Sequence, residues 1–271
     1  MSANHSITQK LTHLQTDNYD GDIIDPALKV TRSILDAASR TPSIKRVVIT
    51  SSAVTLIPFA FMFGAPNSPP DLTLFTPEHV NLNLSKPYGS SMEAYFASKT
   101  LSRIATHDFM AYHKPHFEYV NLLPTLVFGP DELATNVTEL MTSSRGLALG
   151  LFTGNNFLSS EMVGASVHVD DVARAHIDAL KPSVPGNKDY ILSSDAPEGL
   201  VWEDRKAMAR REFPEAVEKG VLVLEGEMGT KKWRLDVSET EKAFGWKFIG
   251  FEETYKELVE QYLRYVETEK S

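Results

Sequence analysis

Between Asp25 and Ala38 the apolar residues Leu28, Val30, Ile34, Leu35 and Ala38 recur at a mostly helical spacing. Pro26 falls where a first helical turn tolerates it, so the pattern predicts a helix over 25–38. Arg46 to Thr50 is a short β-branched run that reads as a buried strand. A long connection follows from Ser51 to Pro87, carrying Pro58, Pro66, Pro69, Pro70, Pro77 and Pro87; connections this long are uncommon unless they are functional. Tyr88 to Tyr112 reads as a long helix and His116 to Val127 as the next strand. Ser166 to Leu180 begins as a strand and becomes a helix, and Tyr190 to Ser193 is another short strand. Trp202–Phe213, Ser238–Phe244 and Phe251–Val266 read as helices. In the last of these, Tyr255, Leu258, Val259, Tyr262, Leu263 and Val266 form an amphipathic stripe suited to core packing.

Composition narrows the function classes. A net charge of −9, from 27 basic and 36 acidic residues, argues against a nucleic-acid partner. The absence of cysteine excludes disulfides, thiolate nucleophiles and Cys-based zinc sites. The apolar run Val54–Phe63 is about half of what a membrane span requires and contains Pro58, so no membrane partner is expected. The N-terminal residues carry neither a basic region nor an apolar core, and a cytoplasmic location is expected, which leaves the sequons at Asn4, Asn83 and Asn136 without consequence.

Tyr95 and Lys99 lie four residues apart and would share one face of the predicted helix. A phenol ordinarily titrates near 10, roughly, and a nearby ammonium favours the phenolate. That pairing would make Tyr95 a usable acid or base near neutrality. Alone, Tyr-x-x-x-Lys is a weak signal. Here it stands between Val47-Val48-Ile49-Thr50-Ser51-Ser52 and Leu122-Leu123-Pro124-Thr125-Leu126-Val127-Phe128-Gly129-Pro130. Together these segments resemble the extended short-chain dehydrogenase/reductase family (the NAD-dependent epimerase/dehydratase superfamily), in its dihydroflavonol-reductase and methylglyoxal-reductase-like branch. Ser166–His176, Leu235–Ser238 and Lys242–Trp246 continue the resemblance, which covers residues 23–266.

The resemblance implies a catalytic set of Ser52, Tyr95 and Lys99. Tyr95 would give a proton to a carbonyl oxygen, Ser52 would hold that oxygen, and Lys99 would also bond the nicotinamide ribose. Ser51 is the fallback for Ser52, one residue away. Tyr95, Lys99, Leu123, Pro124, Thr125 and Val127 are the implied cofactor-binding residues, and the cofactor is NADP(H), if any. The implied fold is α/β: an incomplete doubly wound, Rossmann-like parallel sheet with a smaller, mostly helical C-terminal substrate lobe. Residues 1–130 would form the core, with 166–195 returning to it; 131–165 and 196–271 would form the lobe.

The family's Gly-rich phosphate turn has no counterpart before Ser52. Four strand–helix units, roughly 100–120 residues, would be expected there. Only 51 residues precede Ser52, with a single glycine, Gly21, before Gly64. Gly146, Gly150 and Gly154 read as a loop, not a phosphate site. The expectation is a chain that begins near the family's fourth strand and leaves a sheet edge open, which favours self-association into a homo-oligomer.

The expected function is an NADP(H)-dependent carbonyl reductase or alcohol dehydrogenase acting on a small organic or secondary-metabolite ketone or aldehyde. The alternatives are a cofactor-independent isomerase, dehydratase or cyclase on the same scaffold, and a non-catalytic binding protein derived from a reductase. His107, His113 and His116 read as solvated or capping residues, not metal ligands. His168, Asp170 and Asp171 read as structural. Phe59, Phe61, Met62 and Phe63 suit either core or a substrate-pocket wall.

Overall fold

The computed structural model describes residues 16–63, 73–84, 86–154 and 161–270. A π-helical turn, Asp20–Ile24, leads into α1 (Asp25–Ser39), β1 (Arg46–Thr50), two 3-10 turns (Ala53–Leu56 and Phe59–Phe63), β2 (Leu74–Phe75) and α2 (Ser91–His113). Then come β3 (Glu118–Pro124), β4 (Leu126–Phe128), α3 (Val137–Leu140), α4 (Ser143–Gly150), β5 (Glu161–Val163), β6 (Ser166–His168) and α5 (Val169–Asp178). The chain finishes with β7 (Lys188–Leu192), α6 (Asp204–Glu212), α7 (Pro214–Glu218), β8 (Gly229–Lys231), β9 (Arg234–Leu235), α8 (Ser238–Phe244) and α9 (Phe251–Lys270). This is a Rossmann-like α/β fold with parallel strands.

Two compact units interleave along the sequence. The first takes the described residues of Met1–Phe59 and Thr76–Leu123, with His176–Ile191; the second takes those of Ala60–Phe75, Pro124–Ala175 and Leu192–Ser271.

The first unit is built on a sheet of order β1-β3-β7. β1 and β3 run parallel, from Arg46 opposite Glu118 to Thr50 opposite Leu122. Leu35 and Ala38 of α1, Phe109 of α2, and Phe117 pack with Ile44, Val47 and Ile49 into one core cluster. Leu122, fully buried at the centre of the sheet, contributes about 1.5–3 kcal/mol by its burial. Every residue of β1 is only half-buried, which differs from the buried strand expected from its composition. Among the described residues β1 is paired on one side only, to β3, so its β-branched side chains are half-covered.

The long helix begins at Ser91, three residues later than the pattern of apolar positions suggests. Ser90 is its cap: Ser90 Oγ accepts from Glu93 N at 3.1 Å, while Glu93 Oε2 accepts from Gly89 N at 2.6 Å. Tyr88 belongs instead to a core cluster with Ile23, Ile24, Ala94 and Ala97. Lys114, in the left-handed region at φ 43°, closes the helix by donating its N–H to Met110 O, and Pro115 prevents continuation.

The predicted strand His116–Val127 is two strands. Pro124 has no N–H to continue the ladder. Thr125 then gives its N–H (3.0 Å) and its hydroxyl (3.2 Å) to Leu192 O. Beyond this break β4 pairs in parallel with β6, Leu126 opposite Ser166 and Phe128 opposite His168.

In the second unit β2 pairs with β9 and β5 with β8, both in parallel. The α9 stripe is core: Phe251, Tyr255, Leu258, Val259 and Tyr262 are buried. Tyr255 stacks on Phe152 and Phe251, at 5.5 and 5.0 Å between centroids, and donates its hydroxyl to Ala148 O. Phe61 is also core here, edge-on to Phe75 and Trp233. Gly146 and Gly150 lie within α4, not in a loop. The interleaved Ala148 and Leu149 are buried, and a Cβ on Gly146 would stand 2.1 Å from Met141 O. Phe63's side chain and Gly64 lie outside the described residues.

Candidate active site

β1 delivers Thr50, Ser51 and Ser52 at its carboxyl end, and α2 delivers Tyr95 and Lys99 from one face one turn apart. All five belong to the first unit. Lys99 Nζ donates to Thr50 O at 3.1 Å and stands 5.9 Å from the Tyr95 ring centroid. Thr50 is fixed from its other side, where Oγ1 and His176 Nε2 are 2.7 Å apart. Ser52, in extended conformation, caps the turn Ala53–Leu56, its Oγ accepting from Val54 N at 3.3 Å. The Tyr95 hydroxyl is near enough to the Ser52 side chain for that side chain to favour its ionised form. Ser51 Oγ is buried and has no partner among the described residues. Ser52, not Ser51, is therefore the serine that meets Tyr95.

The electrostatics differ from the expectation of a phenol made more acidic by its lysine. Burial pushes Tyr95 up to about 12, against a smaller opposing effect of the Ser52 side chain. Burial also lowers Lys99 to about 8. Both residues retain some exposure overall, but their ionisable ends lie deep among protein atoms. Desolvation is the larger effect on Tyr95, and Lys99 Nζ is bonded to the Thr50 carbonyl. Tyr95 consequently keeps its proton throughout the neutral range. It is a reservoir of one proton beside a hydroxyl partner, suited to giving that proton to a stronger base such as a developing alkoxide.

The other predicted site residues are distributed over both units. Leu123 ends the first unit's portion of β3 and is fully buried. Pro124, Thr125 and Val127 belong to the second unit. There Thr125 is tied to Leu192, and Val127 O accepts from Ser144 Oγ at 2.6 Å. His176 was missed by sequence reasoning. Its only signal was a polar residue in the last turn of α5, which is indistinguishable from a solvated helix end without the fold.

His107, read as solvated or capping, instead pairs with a buried carboxylate of β7, whereas His168, read as structural, is held by its neighbours. His107 Nε2 lies 2.9 Å from Asp189 Oδ2, and its ring packs near Tyr119. Asp170 N donates to His168 Nδ1 at 3.0 Å, which puts the His168 proton on Nε2, facing Glu257 Oε2 at 3.2 Å. Among the described residues no group of three His, Asp or Glu side chains could hold a metal ion. No described helix is long and apolar enough to cross a membrane.

A parallel α/β sheet, with Ser52 just past the carboxyl end of β1 and Tyr95 and Lys99 on the neighbouring α2, defines a Rossmann-like protein. Residues 11–192 match the NAD dependent epimerase/dehydratase family, and the chain belongs to that family. It is 35% identical over 257 residues to "Ketoreductase CTB6" of Cercospora nicotianae, covering 94% of this chain and 71% of that protein. It is 29% identical to an anthocyanidin reductase of Vitis vinifera, covering 92% of this chain and 71% of that one. Among solved structures, the yeast methylglyoxal/isovaleraldehyde reductase Gre2 complexed with NADPH superposes with a TM-score of 0.75 at 22% identity, covering 94% of this chain and 75% of that one. Vestitone reductase from alfalfa gives 0.65 at 23% identity, covering 97% and 74%. These two likenesses concern the fold alone.

Proposed function

We propose that this protein is a carbonyl reductase of secondary metabolism, using NADP(H) to reduce a small organic ketone or aldehyde, with Tyr95 as the proton donor. The observation that carries the reading is the buried Ser52–Tyr95 hydroxyl pair, with Lys99 anchored beside it on Thr50 O. The ketoreductase and reductase names of the relatives support the substrate class.

The residues present fit the reacting end of a nicotinamide dinucleotide. An ammonium has three N–H donors. Thr50 O is the one acceptor that Lys99 has among the described residues, so two donors remain for a ribose diol. Tyr95 and Lys99 would hold that ribose, with Leu123, Pro124, Thr125 and Val127 proposed beside the ring. When bound, a reduced nicotinamide supplies a hydride.

The chain's own residues handle the oxygen. Ser52 donates to the substrate carbonyl oxygen and holds it against Tyr95. As negative charge develops on that oxygen, Ser52 stabilises it and Tyr95 passes its proton across. The phenolate left behind is stabilised by Lys99's positive charge.

The test is a panel of aromatic and aliphatic ketones and aldehydes incubated with the purified chain and NADPH. The expected result is NADPH consumption matched by an equal yield of the corresponding alcohol. Alcohol-free turnover, or conversion that proceeds equally without nicotinamide, contradicts the reading.

A further inference from the structure

The helix row that carries Tyr95 and Lys99 continues through Arg103 and His107, each four residues further along α2. Arg103 is 1% exposed and Asp189 of β7 is 6% exposed. Arg103 Nε donates to Asp189 Oδ2 at 2.7 Å, and Asn121 Nδ2 donates to Asp189 Oδ1 at 2.7 Å. Burial alone would raise the Asp189 carboxyl, but the His107 hydrogen bond and the Arg103 charge hold it below the usual carboxylate range. Asp189 is thus an anion that fixes the plane of the guanidinium.

The rest of the guanidinium reaches the segment after Ser52. Nη1 donates to Thr55 Oγ1 at 3.0 Å and to His79 O at 2.8 Å, and Nη2 donates to Pro77 O. Thr55 is fully buried; its hydroxyl donates to Ser52 O at 2.9 Å and its N–H reaches the same oxygen at 3.2 Å. An unbroken polar chain therefore runs from Asp189 through Arg103 and Thr55 to the backbone of Ser52.

We propose that Arg103, anchored by Asp189, is a positioning residue for Ser52: through the Thr55 hydroxyl it sets the turn Ser52–Leu56 and so aims the Ser52 hydroxyl at Tyr95 and the substrate oxygen. The plainer reading is a buried ion pair that only holds α2 to the sheet. Apolar residues of similar volume would serve that purpose as well or better. They could not orient the Thr55 hydroxyl toward Ser52 O, which is what the Nη1 donor does here. The catalytic consequence rests on the carbonyl-reductase reading, whereas the geometric one does not.

Thr55→Val removes the linking hydroxyl at nearly constant volume and leaves the Arg103–Asp189 pair in place; Thr55→Ser restores a hydroxyl. Thr55→Val is expected to lower kcat about tenfold with the carbonyl KM changed by less than about twofold, and Thr55→Ser to recover most of the loss. In a Ser52→Ala background, Thr55→Val should cost nothing further, because the group it positions is gone. Backbone hydrogen exchange gives a readout that needs no turnover. The amides of Thr55 and Ile57 should exchange about tenfold faster in Thr55→Val, with those of Val120 and Leu122 in β3 unchanged. Equal losses of kcat with and without Ser52, or unaltered exchange at Thr55 and Ile57, would overturn the proposal. If the unaltered chain reduces no carbonyl, the reductase reading fails and the exchange result alone decides the positioning role.

Discussion

Tyr95→Phe lowers kcat for carbonyl reduction by about 10²–10⁴-fold, the usual contribution of a positioned general acid. The expectation follows from the buried phenol, which burial raises to about 12 and which stands beside Ser52. Phenylalanine keeps the ring and its edge-on contact with Phe96, so folding should be preserved. Steady-state kinetics with a carbonyl substrate and NADPH, alongside a thermal melt, check the point. A folded variant within about twofold of the parent would remove Tyr95 from the chemistry.

Raising the pH should switch the enzyme off near the Lys99 titration, long before Tyr95 ionises. Lys99 is lowered to about 8 by burial, so it is charged below that pH and neutral above it. The charge stabilises the phenolate formed on proton transfer, so kcat/KM for reduction should be flat up to about pH 8 and fall about tenfold per unit above it. The stability contribution of this group has the opposite sign. Its folded pKa lies below the ordinary lysine value of 10.5, so between about 8 and 10.5 the unfolded chain binds more protons. Stability from Lys99 therefore rises with pH across that window. Activity lost above pH 8 should thus appear without loss of folded protein. Lys99→Met should lower kcat/KM about 10²–10³-fold and abolish the limb. A limb that persists in Lys99→Met would assign the titration elsewhere.

Much of the site could be read from residues alone, because helical spacing places Tyr95 and Lys99 on one face whatever surrounds them. Their acidities could not be. Desolvation depends on what packs over the phenol and ammonium, and it reversed the expected direction for Tyr95. The fold class followed from short segments, but boundaries failed wherever a local device overrode the apolar pattern. The Ser90–Glu93 cap moved the start of α2, and the N–H missing from Pro124 split one predicted strand between two pairings. Arg103 and Thr55 escaped notice for another reason. A buried arginine bridging Thr55, Pro77, His79 and Asp189 joins residues far apart in sequence, and no local pattern marks them as neighbours. The next step of four after Lys99 was the one available clue.

The most direct test of a nicotinamide-dependent reductase is an NADPH titration of the purified, folded chain, followed by quenching of Trp202, Trp233 and Trp246 fluorescence and by energy transfer to the nicotinamide. Saturable binding is expected with a Kd of about 1 μM to 1 mM, the range in which enzymes commonly meet their substrates, together with weakening of it by Lys99→Met. No saturation with either NADPH or NADH at concentrations beyond that range would contradict it, and would leave cofactor-free proton chemistry or a binding role for the Ser52–Tyr95–Lys99 site.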